Sequence, residues 1–342
     1  MAGSDLTTAL LKQVSRSFYL SVAVLPAAVR PSIGLASLFA RAADTIADTR
    51  LIERRARIVH LEALAEELTL AQAGRIAAIV EAAAGPQSLP AERRLLERLP
   101  AIFAAYRALA AADQARVRRL LATIIEGMTE DLRIFPGEDE GKLAALETRA
   151  DLDRYTYLVA GCVGEFWTEV HMAHRPRLAL WNGPAMQALG VRFGQGLQLT
   201  NVLRDVPRDL RTGRCYLPRA DLARLGLEPG DLLDPAAGLP ARPLLRELLG
   251  TALEHYDAGW RYTCAIPRAE TRMRLACAWP LLIGIRTVGK LRASNVLAPE
   301  LHVKISRSEV RRIILRTWLC HPLPWAWARL FPRQEMPQTS GA

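Results

Sequence analysis

Along most of this chain apolar residues recur at the three- and four-residue steps of an α-helix. Runs that alternate apolar and polar residues, as a half-buried strand needs, are almost absent. Stretches such as 57–72 and 114–133 are rich in Ala, Leu, Glu and Arg, all strong helix formers. Punctuation comes at Gly85-Pro86, at Pro136-Gly137 and through a Pro- and Gly-rich segment from Gly213 to Pro243, long enough for a loop or lid beside a site. The tail from Pro332 to Ala342 reads as disordered. No solenoid period and no shift of composition marks a second domain. The pattern predicts one all-α domain of about a dozen helices.

Two segments depart from ordinary amphipathic helices. In Pro31 to Thr49, Pro31 suits a first helical turn, and Leu35, Leu38, Phe39, Ala42 and Ile46 make an apolar stripe. Gly34, Ser37, Arg41, Asp44 and Asp48 repeat at steps of three and four and so share the other face. Two carboxylates at i and i+4 lie about 6 Å apart and repel, which a solvated face tolerates. In Arg192 to Arg214, Gly194, Gln198, Asn201, Asp205 and Asp209 form a second polar stripe on a helix that is otherwise largely apolar. A solvated face is usually filled with Glu, Lys and Arg, so this stripe reads as the wall of a polar cavity. Pro207 removes a backbone N–H and predicts that the helix ends or kinks there, leaving Asp209 in a distorted last turn.

Two Asp-x-x-x-Asp pairs suit Mg²⁺, which prefers oxygen ligands and is commonly held by one or two carboxylates plus substrate phosphates. Carboxylates on facing helices would hold a magnesium cluster that a diphosphate completes, with Arg41 and Arg204 on the diphosphate oxygens. Metal and arginines would then neutralise a departing diphosphate and leave a carbocation in an apolar cavity. A di-iron carboxylate bundle needs Glu-x-x-His motifs, and none is present. His171 and His174, spaced i, i+3 without a second such pair, read as an exposed helix end.

Composition narrows the remaining classes. Half of the 342 residues are apolar, which excludes disorder and a disulfide-stapled miniprotein. The net charge of +10 is almost all arginine, since only Lys12, Lys142, Lys290 and Lys304 are lysines. No basic helix with interleaved aromatics and no zinc module supports nucleic-acid binding. The five cysteines are scattered, which fits a reduced cytoplasmic compartment. The N-terminus does not read as a signal peptide, and no charge-free run reaches the ~18 residues of a membrane span. Arg311 to Arg333 combines arginines with Trp318, Trp325 and Trp327, a mixture suited to a bilayer interface. The competing reading is a helix packed on the domain and broken by Pro322 and Pro324.

The ordered blocks Ser15–Phe18 (SRSF), Arg41–Asp48 (R-x-x-DTIAD), Tyr155–Gly164 (YTYLVAGCVG), Gln198–Asp209 (Q-x-x-NVLRD-x-x-x-D), Gly213–Pro218 (GRCYLP) and Cys277–Pro280 (CAWP) resemble the squalene/phytoene synthase family of head-to-head prenyl synthases. The resemblance extends from Ser15 through the KISR segment at Lys304. It implies an isoprenoid-synthase-type helical fold with a central cavity, catalytic over residues 1–316 and followed by a basic, Trp- and Pro-rich tail, 317–342. By the same resemblance Asp44, Asp48, Asp205 and Asp209 bind Mg²⁺, with Asn201 beside them. Arg16, Arg41, Arg204 and Arg214 match diphosphate-holding positions, with Ser17 in the first block. Tyr155 matches a tyrosine of the first half-reaction, Phe18 and Gln198 line the cavity, and Val159, Val163 and Gly164 border the prenyl channel. Close helix packing is the other explanation of that last block. Ala47 and Arg208 depart from family positions that often carry an extra acid, Thr156 replaces a frequent cysteine, and Ala276 stands where some members have Phe.

The implied reaction ionises one farnesyl diphosphate, whose allylic cation attacks the double bond of a second to give a cyclopropyl diphosphate. Family branches then diverge. Squalene synthases ionise that intermediate and quench the cation with hydride from NADPH, phytoene and dehydrosqualene synthases lose a proton, and a third branch captures water. The Tyr155, Cys277 and Lys304 blocks lean towards squalene synthase, with Lys304 and Arg307 pairing with the phosphates of NADPH. A helix start at Ser306 explains that last segment equally well. No Gly-x-Gly-x-x-Gly motif supports a Rossmann site. The expectation is a monomeric prenyltransferase, cytoplasmic and peripherally attached to membrane. A non-catalytic helical scaffold is the different-class alternative, and it predicts decay of the Asp pairs or Tyr155.

Overall fold

The structure, a computed structural model, describes residues 9–14, 16–70, 74–298 and 303–332, with residues 16–18 and 140 described in backbone only. The all-α expectation holds. Its helices are α1 (Arg16–Val24), α2 (Arg30–Asp48), α3 (Arg54–Leu70), α4 (Gly74–Ala84), α5 (Pro90–Glu97), α6 (Leu99–Arg107) and α7 (Ala111–Ile134). They continue with α8 (Arg149–Thr156), α9 (Cys162–His174), α10 (Gly183–Arg211), α11 (Arg219–Ala223), α12 (Arg242–Ala265), α13 (Thr271–Arg292), α14 (Arg307–Cys320) and α15 (Pro324–Ala328). The chain divides into two compact units, Met1–Arg133 with Glu165–Gly183, and Ile134–Gly164 with Pro184–Ala342. No described helix is long and apolar enough to cross a membrane.

In the first unit α2 starts on its proline and buries Ile33, Leu35, Leu38, Phe39, Ala42 and Ile46. The Phe39 ring meets Phe103 edge-on at 4.8 Å and Tyr106 at 5.8 Å, arrangements that add to the area aromatic rings bury. The buried Tyr106 hydroxyl donates to the Leu68 carbonyl at 3.1 Å, so this aromatic core carries no stranded polar group. His171 and His174 are not an exposed helix end. His171 is fully buried with Nδ1 2.8 Å from the Trp167 carbonyl, and His174 Nε2 lies 2.7 Å from the Asp113 carboxylate. Asp113 also accepts from Ser32 at 3.0 Å and Arg116 at 2.6 Å, so these groups tie helix ends together.

In the second unit α12 packs along α13, and the Tyr256 hydroxyl occupies space that a side chain at Gly284 would take. The segment from Gly213 is not a free loop. Arg214–Cys215 pairs in parallel with Ala144–Ala145, α11 follows, and two short 3₁₀ turns, Pro229–Leu233 and Pro235–Gly238, lead into α12. Gly213 holds φ at +79°, and a Cβ there would come within 3.2 Å of the Gly137 and Asp139 backbone, so the sharp turn after α10 requires glycine. The helix also runs through Pro207 to Arg211 instead of ending beside it. Burial of Leu203, Val206 and Leu210 on the flanking turns outweighs the roughly 3 kcal/mol that an interior proline costs.

Candidate active site

On α2, Asp44 is half-buried and Asp48 exposed, one turn apart. Arg41 lies 3.3 Å from the Asp44 carboxylate and pairs at its other end with Glu92 of α5. Burial, then repulsion from Asp48, pushes the Asp44 carboxyl up to about 6, against the pull of Arg41. The C-terminal end of the same helix is held from within the core. Buried Arg57 donates to the Ala47 carbonyl at 3.0 Å, and the Gln87 side-chain amide reaches the Thr49 hydroxyl at 3.1 Å.

The stripe inferred from the sequence lies along the single helix α10, and several of its members are tied to one another or to neighbouring side chains. The Gln198 amide donates to the Tyr155 hydroxyl and the Asn201 amide to the Gln198 carbonyl oxygen, both at 3.4 Å. Arg204 forks onto Asp205 with Nε at 2.9 Å and Nη2 at 2.7 Å, a bidentate pair that pushes its own pKa further up. Arg208 reaches Asp205 at 3.8 Å and Asp209 at 3.5 Å. Burial, with the charge of Asp205 adding to it, pushes the Asp209 carboxyl up to about 7 even though Arg208 and Arg214 oppose the shift. Arg214 follows the Gly213 turn on the short strand, three residues beyond the end of α10.

Tyr155 stacks on Tyr216 at 4.6 Å between centroids, and Tyr216 meets Phe135 edge-on at 5.0 Å. Between α8 and α9 the chain takes a π-helical stretch, Tyr157–Gly161, of the kind often found at functional sites. Here α10 approaches at backbone range. A Cβ on Gly164 would lie 2.1 Å from the Gly190 carbonyl group, and one on Gly194 would lie 2.3 Å from the Ala160 oxygen. The small residues of this block are therefore required by close helix packing. Val159 and Val163, one turn apart, remain half-buried.

Sequence reasoning missed Glu92 and Tyr216 as partners, and read Arg208 only as a departure. No periodic signal flags the first two, because each acts across a long sequence separation. Arg208, at i+3 from Asp205, was open to the rule for helical ion pairs. Lys304 and Arg307 are exposed, and Ser306 and Glu309 form a capping box at the start of α14, so the helix-start reading of that segment holds. Ser15 and the side chains of Arg16, Ser17 and Phe18 lie outside the described residues. Trp327 does not belong with Trp318 and Trp325 as an interfacial residue. It is buried, stacked at 5.6 Å on Trp260, while the other two are exposed.

A family model described as squalene/phytoene synthase matches residues 11–309. The chain belongs to this family. Members of the squalene/phytoene synthase family are prenyltransferases. Similar relatives include a squalene synthase of Eremothecium gossypii, 25% identical over 90% of this chain and 66% of that protein. A presqualene diphosphate synthase of Zymomonas mobilis is 29% identical over 71% of this chain and 70% of that protein. The chain spans about two thirds of the fungal enzyme's length, and only 40% of a bifunctional lycopene cyclase/phytoene synthase of Arthroderma gypseum that it also matches. Among solved folds, TcSQS in complex with a ligand superposes with a TM-score of 0.76 at 22% identity, covering 97% of this chain and 93% of that one. A squalene synthase of Alicyclobacillus acidocaldarius gives 0.60 at 22% identity, covering 86% and 94%.

The carboxylate pairs of this family member fit a divalent cation. Asp44 and Asp209 each carry a charge that burial and a neighbouring aspartate make costly, which a cation would relieve. Among the described residues no three His, Cys, Asp or Glu side chains converge as a metal site. Each pair therefore offers two carboxylates and leaves further positions to water and phosphate, the donor set Mg²⁺ accepts.

Proposed function

We propose that the chain is a squalene synthase that joins two farnesyl diphosphates head-to-head through presqualene diphosphate and reduces that intermediate with NADPH. The observation that carries the reading is the α10 stripe: Tyr155, Gln198, Asn201, Arg204, Asp205 and Asp209 follow one another in contact or at helical steps. In this reading Asp44 with Asp48, and Asp205 with Asp209 beside Asn201, hold Mg²⁺ against substrate diphosphates. Bound there, the metal supplies positive charge to a departing diphosphate. Arg41, Arg204 and Arg214 contact diphosphate oxygens, together with Arg16 and Ser17. Arg204 and Arg41 do so while paired to Asp205 and to Glu92, which fixes the direction of each guanidinium.

Tyr155, held between Gln198 and the Tyr216 ring, is the group that handles the proton lost when the cyclopropane closes. Gln198, Val159 and Val163 face the prenyl chains, as Phe18 does by the family resemblance, while Gly164 lets the channel block pack on α10. Lys304 and Arg307 bind the phosphates of NADPH, which supplies hydride to the final cation. Residues 1–316 form the catalytic part and 317–342 the tail of a monomeric enzyme that works at a membrane surface.

A second reading, that turnover stops at presqualene diphosphate, draws support from the Zymomonas relative, since that match covers most of both chains. Incubation with farnesyl diphosphate and Mg²⁺, with and without NADPH, separates the two. Squalene formed only with NADPH is the expected product. Presqualene diphosphate, hydroxysqualene or a dehydrosqualene indifferent to NADPH, or phytoene from a longer substrate, overturns the proposal. A folded protein without turnover on any prenyl diphosphate would leave only the scaffold.

A further inference from the structure

The end of the second unit carries an exposed surface that the chemistry above does not use. Thirteen large apolar side chains are exposed among the described residues, and five of them, Leu315, Trp318, Leu319, Leu323 and Trp325, fall within eleven positions. Such clustering differs from the scattered exposed apolar residues normal on any surface. Leu315, Trp318 and Leu319 share one face of α14, turned away from Thr317, whose hydroxyl accepts a 2.9 Å bond from buried Trp279. The surface is rigidly backed. Trp327 stacks on Trp260 beneath the Arg274 guanidinium, 4.4 Å from its ring centroid, and Phe331 lies on the other side of the sandwich at 5.6 Å from Trp260.

The flanks of this face are cationic. A groove of about 500 Å³ beside Leu315 and Leu319 is walled by Arg286, Arg312 and Arg316. A second groove of about 210 Å³ shares Arg286 and Arg316 and adds Arg329, whose guanidinium lies 5.5 Å over the exposed Trp325 ring. The acid in the lining of the first groove, Glu309, is taken up by Lys290 at 3.0 Å and by the Ser306 cap. Residues 303–332 carry six basic side chains against that one acid.

We infer that the outer face of α14 and the α15 turn dock on a bilayer containing anionic phospholipid, Trp318, Trp325 and the leucines entering its interface while Arg286, Arg312, Arg316 and Arg329 hold headgroup phosphates over the two grooves. Arginine stems cover apolar surface while their guanidinium groups stay at phosphate level, and Trp rings favour that same level. A second copy of this chain fits the face poorly, because a two-fold contact would set arginines against arginines. The inference rests on the proposed action at a membrane surface and names the lipid and the contacting groups.

The test is co-sedimentation of the full-length chain with vesicles of phosphatidylcholine alone or mixed with phosphatidylglycerol, alongside turnover of farnesyl diphosphate in detergent solution. Binding only to the anionic vesicles, reversed by about 0.5 M salt, is expected. Arg312→Gln with Arg316→Gln should weaken it on the order of 30-fold, at about fivefold per charge. Trp318→Ala with Trp325→Ala should weaken it about tenfold or more, with solution turnover unchanged. No binding to either vesicle overturns the surface reading along with this inference. Equal binding to both vesicles, unchanged binding by the variants, or a dimer in light scattering that the Trp variants dissolve overturns this inference alone.

Discussion

Gly164→Ala tests whether the Tyr155–Gly164 block is built for packing. The new Cβ would stand 2.1 Å from both the carbon and the oxygen of the Gly190 carbonyl and 2.6 Å from the Val191 nitrogen. All three are backbone atoms, so no side chain can swing aside. To regain the 3.4 Å of ordinary contact, α9 and α10 must part by about 1.3 Å. Overpacking of this kind costs roughly 3 kcal/mol, and the better helix propensity of Ala returns about 1. The net loss of about 2 kcal/mol corresponds to a melting temperature lower by about 3 °C for a chain of this length.

Gly183→Ala, at the start of α10, is the control. Its Cβ would meet only the flexible end of Met172 at 3.5 Å, so its melting temperature should stay near that of the parent. Thermal unfolding followed by circular dichroism decides the matter, and turnover measured alongside should fall, because the same displacement pulls Tyr155 from Gln198. A Gly164→Ala protein that melts at or above the parent temperature would refute the packing argument and leave only the substrate channel to explain the glycine.

Without metal, the folded Asp209 carboxyl at about 7 lies above its unfolded value of 3.8, so its contribution to stability is full below about pH 4 and is lost as pH rises through 7. The loss amounts to at most about 4 kcal/mol. Urea melts in chelator should show Asp209→Asn gaining stability on the parent between pH 5 and pH 8, and a constant difference would sink the assignment. The Asp44 carboxyl titration, read by carboxyl NMR shifts, should move down in Asp48→Asn and less so in Glu92→Gln, since both acids raise it and Asp48 raises it more. An upward shift in either variant contradicts the charge assignment. Trp327→Ala should cost about 3–5 kcal/mol in urea melts, as loss of a buried, stacked ring does, while Trp325→Ala changes stability by less than about 1 kcal/mol; equal costs would mean that burial does not separate the two.

What the chain alone determined about this protein is what lies within reach of one helix. The 3.6-residue period puts Asp44 with Asp48 and Gln198 with Asn201, Asp205 and Asp209 on single faces, and residue chemistry is what proposes each face as a wall for cation and phosphate. The Ser306 cap was legible for the same reason, since its partner Glu309 is three residues away. Tertiary structure alone decided what meets those faces: Glu92 on Arg41, Tyr216 on Tyr155, and the burial that raises Asp44 and Asp209. It also sorted the three tryptophans near the end, burying Trp327 on Trp260 and leaving Trp318 and Trp325 in solvent. Sequence period assigns a side to each residue, but which sides are covered depends on contacts between residues tens of positions apart, and those contacts set charge, proton affinity and exposure.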